Sequence, residues 1–186
     1  MARKETDFPI FLFHEGNNTE AYKLFSPHRA VGKKKEGWLF RVWAPHAQAV
    51  SVVGDFNGWN READPMRLLE KSDGIWEAFI PGLNVYDVYK YCITQADGRQ
   101  VLKADPYALH SETAPATGSK LYESEYKWTD AKWMAARRDH DPYSSPMNIY
   151  EVHLGSWRRH ADGNPLSYRD LAVQLSEYVK DMGYTH

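Results

Sequence analysis

The chain has 186 residues, of which 23 are basic and 25 acidic, giving a formal net charge of −2, and 42% of them are hydrophobic. This size and composition are those of a folded protein with one good core or two small ones. The near balance of charge gives no long-range attraction to a polyanion. We therefore expect no nucleic-acid partner and no membrane partner.

Two further features indicate a cytoplasmic protein. Cys92 is the single cysteine, so no internal disulfide can form, and a small buried hydrophobe is its simplest role. The opening stretch, MARKETDFPIFLF, places basic residues before an apolar run that is too short and too broken by proline for a secretory leader. No segment approaches the length of a membrane span.

Residues 1–35 form a lead-in segment that contains one short helical pattern. The stretch NTEAYKLF predicts this helix, with Asn18 as its N-cap. The pattern changes after residue 35, where apolar residues begin to alternate with polar ones.

Residues 36–125 are predicted to form a β-sandwich. Short runs rich in β-branched and aromatic residues alternate with turns that contain Gly, Pro, Asn and Asp. Such runs, at a spacing of roughly ten residues and without helices between them, predict two packed antiparallel sheets, with an immunoglobulin-like topology as the default. The five runs are WLFRVWAP, AVSVVGDF, GIWEAFIPG, NVYDVYKYCI and RQVLKADPY.

A linker and a second unit are predicted after the sandwich. Residues 126–145 show no sustained period, whereas from residue 146 the run NIYEVHLGSW predicts a strand and residues 166 to 183 predict a helix. Ser167 is the predicted N-cap of this helix, with Asp170 as its capping-box partner. The flanking signals are the staple pair Leu166 and Leu171, the apolar stripe Leu171, Leu175, Tyr178, Val179 and Met182, and the terminating Gly183.

This strand and helix make half of a parallel βαβ unit. A parallel sheet has to be covered on both faces, and the sequence offers no further elements to cover it. We therefore expect that the chain is truncated and that the elements completing residues 146–186 are missing from it.

Several segments resemble the amino-terminal portion of glycogen (1,4-alpha-glucan) branching enzymes. The similarity is carried by FRVWAPHAQAVSVVGDFNGWN, YKYCI, ADPYA and, most specifically, SPMNIYEVHLGSWRR with SYRDLAVQLSEYVKDMGYTH. In that family YEVHLGSWRR is the first strand of a (β/α)8 catalytic barrel of the alpha-amylase type. The resemblance implies a mainly β fold, an immunoglobulin-like sandwich of the glycogen-binding-module type, followed by the first strand and helix of a truncated barrel.

The resemblance also implies an activity and its limits. Branching enzymes cut an alpha-1,4 glucan and rejoin the piece through an alpha-1,6 bond, using a carboxylate nucleophile and a carboxylic acid/base about 5 to 5.5 Å apart. In the family these residues come from later barrel strands, so no catalytic residue is assigned in this chain. We expect the chain alone to be inactive, with alpha-glucan and the missing catalytic barrel as its partners and with no cofactor and no metal.

The stretch GDFNGWN, residues 54 to 60, provides the candidate binding site. An indole on a turn offers a flat face for the C–H groups of a pyranose ring, and Trp59 is flanked by the amides of Asn57 and Asn60. Lys90 in VYKYCI adds a donor for sugar hydroxyls. The resemblance implies Trp59 and Lys90, because in related glycogen-binding modules the Trp of the N-x-W turn and the Lys of the Y-K-Y strand contact glucan. The alternative is that Trp59 folds back to cap the sandwich.

One departure from the family pattern predicts weak binding. Related modules carry a second Trp shortly after the Y-K-Y strand, and the corresponding segment here, ADGRQVLKADP, has none. A single ring platform should hold a sugar less tightly than two.

Other clusters favour structural roles. The run RRDHDP is interpreted as a charged turn rather than a metal site, and His153, Trp157 and Arg158 as structural.

Two classes of function stay open. The first class is the front of a branching transferase, with a debranching or trehalose-forming relative as runner-up. The second is a free-standing alpha-glucan-binding or scaffolding module without catalysis.

Overall fold

The computed structural model describes residues 7–32 and 35–186. The first six residues of the opening stretch MARKETDFPIFLF, which the sequence indicates is not a secretory leader, lie outside the described residues. The chain divides into two compact units, Met1–Glu125 and Tyr126–His186. None of the described helices is both long and apolar enough to cross a membrane. The strands are β1 His28–Gly32, β2 Lys35–Trp43, β3 Ala49–Gly54, β4 Arg67–Leu68, β5 Ile75–Pro81, β6 Val88–Thr94, β7 Gln100–Lys103, β8 His110–Ser111 and β9 Ser119–Lys120. The helices are α1 Asp7–His14, α2 Ala21–Phe25, α3 Ala131–Asp139, α4 Leu154–Trp157 and α5 Tyr168–Asp181.

The first unit is a two-sheet antiparallel sandwich, as the sequence predicts. The five period-two runs form β2, β3, β5, β6 and β7. One sheet has the order β1-β2-β5-β4 and the other β3-β6-β9-β8, with β7 also paired to β6. The strands that the sequence did not predict are β1, β4, β8 and β9, and three of these are only two residues long. Such short strands carry no readable alternation.

The core of the sandwich is built from rings that face each other across the two sheets. Trp38 and Phe40 of β2 are fully buried, as are Tyr89 and Tyr91 of β6. The rings of Phe40 and Tyr89 meet edge to face at 5.3 Å, which is a favoured geometry for an aromatic pair. Trp38 donates its indole N–H to the Leu83 carbonyl at 3.2 Å, so its polar edge is satisfied inside the core.

One buried carboxylate organises the second sheet. Asp105 accepts hydrogen bonds from the hydroxyls of Tyr89 at 2.6 Å and Tyr91 at 3.3 Å, and from the Tyr107 backbone N–H at 2.7 Å. Its own N–H donates to the Ser119 hydroxyl at 2.9 Å. Burial raises the pKa of the Asp105 carboxyl, although the tyrosine hydroxyls and the Tyr107 N–H act in the opposite direction. Burial, together with the nearby Asp105 charge, also raises the pKa of both tyrosine hydroxyls.

Two helices before β1 pack on the first sheet through a second small core. Leu24 and Phe25 of α2 join Ile10 of α1 and Ile75 of β5 in this cluster. The prediction that Asn18 caps the helix of NTEAYKLF is wrong, because α2 begins at Ala21. Asn18 instead accepts a hydrogen bond from the Glu20 N–H at 3.0 Å, which makes a turn before the helix.

The second unit contains the predicted long helix and two helices that were not predicted. Helix α5 confirms the pattern of residues 166 to 183, and Ser167 caps it by accepting the Asp170 N–H at 3.2 Å. Residues 126–145 contain α3, a helix that the sequence pattern missed because its polar residues hide the helical period. Its sequence, AKWMAARRD, is nonetheless rich in strong helix formers.

The predicted strand NIYEVHLGSW forms no strand ladder, and its last four residues belong to α4. A trace of strand pairing is nevertheless present. Asn148 accepts the His186 N–H at 3.1 Å, and His186 accepts the Tyr150 N–H at 2.8 Å. These two bonds make the pattern of a parallel pair around Ile149 and His186.

Candidate functional site

The GDFNGWN stretch forms a tight turn with a strained end. β3 ends at Gly54, a 3₁₀ turn follows over Asp55–Asn57, and Gly58 and Trp59 then have φ angles of 62° and 59°. Glycine adopts this left-handed conformation without a penalty. For a residue with a side chain it costs on the order of 1 to 2 kcal/mol, so Trp59 is held against a local preference.

Two hydrogen bonds hold Trp59 in this conformation. Its backbone N–H donates to the Gly54 carbonyl at 2.9 Å, and its indole Nε1–H donates to Asp55 Oδ1 at 2.7 Å. The second bond is short because the acceptor is a carboxylate. The side chain remains 36% exposed and lies outside the core, whereas Phe56 packs against the core from the same turn. Phe56 therefore closes this end of the sandwich, and Trp59 faces solvent.

Asn57 fixes the shape of the turn. Its Oδ1 accepts the Gly54 N–H at 3.0 Å, and its Nδ2 donates to the Val52 carbonyl at 3.0 Å and to Asp64 Oδ2 at 2.7 Å. Both amide hydrogens are therefore engaged within the protein. Asn60 is exposed and its Oδ1 accepts the Glu62 N–H, while its NH₂ group has no partner in the described part of the chain.

Gly54 is required by a close approach of two strands rather than by its φ angle. A Cβ at this position would lie 2.2 Å from the Val88 carbonyl oxygen and 2.5 Å from the Phe56 ring. No side chain fits between these atoms. The turn therefore contacts both β3 and β6.

Lys90 stands on β6 beside this turn. It pairs with Val53, and the neighbouring Tyr89 pairs with Gly54, from which the turn leaves. Tyr89 and Tyr91 point into the core, so Lys90 points to the outer face of the sheet. Its ammonium donates to the Thr117 hydroxyl at 2.7 Å, which uses one of its three N–H bonds.

The candidate residues of the second unit have structural partners. His153 Nδ1 is paired with the Ser156 hydroxyl at 2.8 Å, and Trp157 donates its indole N–H to the Tyr150 hydroxyl at 3.0 Å. The Arg158 guanidinium lies 4.4 Å from the Trp157 ring. These contacts build an aromatic cluster that orients α5, because Trp157 also meets Tyr178 of that helix.

The described residues contain no group of three or more His, Cys, Asp or Glu that could hold a metal ion. The RRDHDP run starts in the last turn of α3 and continues into a turn. Asp141 in this run accepts the Tyr143 N–H at 3.0 Å, and this hydrogen bond lowers the pKa of its carboxyl.

Three supporting residues were missed by sequence reasoning. Asp55 and Asp64 hold Trp59 and Asn57, and Thr117 holds Lys90. Asp55 lies four residues before Trp59 in the same turn, so a side-chain bond between them could have been anticipated. Thr117 lies 27 residues after Lys90, and no local pattern connects them.

These features define a β-sandwich module with an aromatic residue displayed on a rigid turn. The chain belongs to the family of carbohydrate-binding module 48 (isoamylase N-terminal domain), whose model matches residues 15–108.

Two relatives extend the similarity beyond this module. The 1,4-alpha-glucan branching enzyme GlgB of Bacillus subtilis (strain 168) is 44% identical over 186 residues, which are 100% of this chain and 30% of the relative. The enzyme of the same name from Hydrogenovibrio crunogenus is 48% identical over 181 residues, 97% of this chain and 25% of the relative. The chain thus spans less than a third of these relatives, and the part it matches is their amino-terminal region. The resemblance to branching enzymes is confirmed.

A solved structure shares the fold. A putative alpha amylase from Salmonella typhimurium aligns with a TM-score of 0.56 over 87% of this chain and 23% of that chain, at 20% identity. At this level of identity the likeness concerns the fold alone.

Proposed function

We propose that the chain is the amino-terminal part of a cytoplasmic 1,4-alpha-glucan branching enzyme, and that its immunoglobulin-like sandwich contacts alpha-glucan through Trp59. The observation that carries the glucan contact is the strained and partly exposed Trp59. Its backbone is left-handed and its indole is tied to Asp55, yet 36% of the side chain faces solvent. Strained residues of this kind persist where the surrounding structure holds them, and they cluster at ligand sites.

Lys90 and Asn57 support Trp59 in different ways. Two N–H bonds of Lys90 stay available on the outer face of the sheet, where they can donate to sugar hydroxyls. Asn57 acts through the turn that it fixes, because both of its amide hydrogens are already bonded within the protein. Glucan selectivity would then come from a preformed ring face with few polar partners around it.

Residues 146–186 are proposed as the first strand and helix of a catalytic (β/α)8 barrel, after a linker over residues 126–145. The parallel hydrogen bonds of His186 with Asn148 and Tyr150 support this proposal, because parallel strands flanking a helix are the repeating unit of that barrel. The same observation weighs against a free-standing binding module, which has no use for half of a parallel unit. The identity of 44% over the whole chain to a branching enzyme also weighs against a debranching relative.

The glucan contact is tested by affinity electrophoresis of the purified chain in a native gel containing glycogen. We expect retardation of the chain that is lost in Trp59→Gly, a substitution that removes the indole and suits the left-handed backbone. The matched control is Trp128→Ala, since Trp128 is 77% exposed but lies in the other unit. Equal retardation of the Trp59→Gly variant and the parent chain would contradict the proposed contact.

The catalytic proposal is tested with amylopectin and iodine. The chain alone should leave the iodine colour unchanged, because we assign it no catalytic carboxylate. A shift in colour produced by the purified chain would overturn that part of the proposal.

A further inference from the structure

A second group of rings lies exposed on the first unit. Tyr86 meets His110 at 5.5 Å between ring centroids and Tyr122 at 6.1 Å, and His110 meets Tyr122 at 5.5 Å. Tyr86 is 55% exposed and His110 is also exposed. The rings are tilted against one another, so together they form a shallow aromatic cup rather than a flat stack.

Strand register places this cup on the same sheet face as Lys90. His110 pairs with Lys120, and Lys120 pairs with Val88, which is two residues from Lys90. Paired residues and residues two apart along a strand share one face of a sheet. Tyr122, two residues after Lys120 and in contact with His110, continues this face beyond the end of β9.

Tyr86 is strained in the same way as Trp59. Its φ angle is 73°, and among the described residues Trp59 and Tyr86 are the two ring side chains with a left-handed backbone. The Tyr86 N–H donates to the Leu121 carbonyl at 2.7 Å, which fixes this conformation. Both residues flank the end of β6 at which Tyr89 pairs with Gly54. Tyr86 lies in the turn that precedes β6, three residues before Tyr89.

Lys120, the strand partner of His110, adds to this face a polar group that the described part of the protein leaves unpaired. Lys120 is half-buried, and its ammonium makes no hydrogen bond or ion pair with any described residue. The hydroxyls of Tyr86 and Tyr122 add further polar groups at the rim, whereas the Nδ1–H of His110 already donates to the Ser111 carbonyl at 2.9 Å. Ring faces next to several donors suit a neutral, hydroxyl-rich ligand, whereas a cationic ligand would be repelled by Lys120.

We propose that Tyr86, His110 and Tyr122, with Lys120, form a second alpha-glucan contact on the sheet face that carries Lys90. This inference rests on the proposed glucan binding by the first unit. A glucan long enough to reach both contacts binds them together, and the second contact then acts at the high effective concentration set by the first. A short oligosaccharide fills one contact at a time.

The test compares four forms of the 186-residue chain: the parent, Tyr86→Gly, Trp59→Gly and the double variant. Glycine suits the left-handed backbone at both positions, so the two rings are removed without adding strain. Binding is measured with maltotriose by calorimetry and with glycogen by affinity electrophoresis. Tyr143→Ala is the matched control, because Tyr143 is 99% exposed and lies in the other unit.

We expect Tyr86→Gly to raise the apparent Kd for glycogen roughly tenfold, with a smaller effect on maltotriose, because one of two linked contacts is lost. The double variant should show no retardation. If Tyr86→Gly binds glycogen as tightly as the parent while Trp59→Gly does not, the second contact is refuted and the proposed function stands. If Trp59→Gly has no effect while Tyr86→Gly weakens binding, the role of Trp59 is refuted and the second contact stands. An unretarded parent chain overturns both.

Discussion

The two units differ in how completely they bury their apolar residues. In the sandwich, rings of both sheets are fully buried and the polar edge of Trp38 is paired. In the second unit Leu171 is buried at the start of the apolar stripe of α5, but Met182 at its end is 53% exposed, and Ile149 is 63% exposed. The amphipathic pattern is equally clear in both units. The difference shows that a pattern specifies which face must be covered, and that coverage depends on which neighbours are present.

The largest expected effect on stability comes from replacing a tryptophan in the first unit, compared with the same replacement in the second. Trp38→Ala should lower the free energy of unfolding by about 3 to 5 kcal/mol, because a fully buried ring leaves a cavity that the sheets cannot close. Trp157→Ala should cost clearly less, since Trp157 is half-buried in a small cluster. Urea denaturation followed by circular dichroism measures both. Equal costs would mean that the second unit is as tightly packed as the first.

Gly54→Ala should destabilise the sandwich by about 3 kcal/mol, the upper end of the usual cost of overpacking. The new methyl group would meet a backbone oxygen at 2.2 Å, and backbone yields less readily than a side chain. The control is Gly58→Ala, where the Cβ meets open space and only the φ of 62° opposes it. That change should cost about 1 kcal/mol. Thermal unfolding of the two variants compares them, and a larger loss at Gly58 would contradict the close approach.

Asp105→Asn should cost about 1 to 3 kcal/mol, because an NH₂ group would replace one of the oxygens that accept hydrogen bonds in the core. It should also change the pH dependence. The folded protein holds the Asp105 proton more tightly than the unfolded chain, so this group makes stability fall as pH rises from 3.8 to its raised pKa. Urea midpoints across that range should lose this slope in the variant.

Asp97 provides a control whose effect on the pH dependence of stability has the opposite sign. Hydrogen bonds from Arg99 lower the pKa of its carboxyl, so its contribution to stability is present above the unfolded value of 3.8 and is lost as pH falls through the folded pKa. Asp97→Asn should remove a small slope of that direction. If both variants changed the slope of stability against pH in the same direction, the raised pKa assigned to the buried Asp105 carboxyl would be refuted.

The smallest effect is expected at the start of α5. Ser167→Ala removes the cap on the Asp170 N–H and should destabilise this helix by about 1 kcal/mol. Ser176→Ala is the control, because Ser176 lies inside the same helix with its hydroxyl bonded to the Val173 carbonyl, and alanine is the better helix former. Hydrogen exchange should show faster opening of α5 in the first variant alone. Faster exchange in the sandwich as well would mean that the two units unfold together.

The sequence by itself determined the elements whose signal is local and repeated. Alternation over several residues identified β2, β3, β5, β6 and β7, and the Ser167 cap with its apolar stripe identified α5. The display of Trp59 on a turn also followed from sequence, because Gly and Asn beside it restrict the backbone to a few turn conformations.

The tertiary structure alone decided which distant groups meet. β8 and β9 exist because they pair with each other and with β6, and Lys90 finds Thr117 across 27 residues. The hydrogen bonds of Asn57 with Val52 and Asp64, which hold the turn, also appeared only in the folded structure. The cup at Tyr86 joins rings from three separate segments of the chain. Such contacts depend on how sheets pack and register, and no periodicity along the chain encodes them.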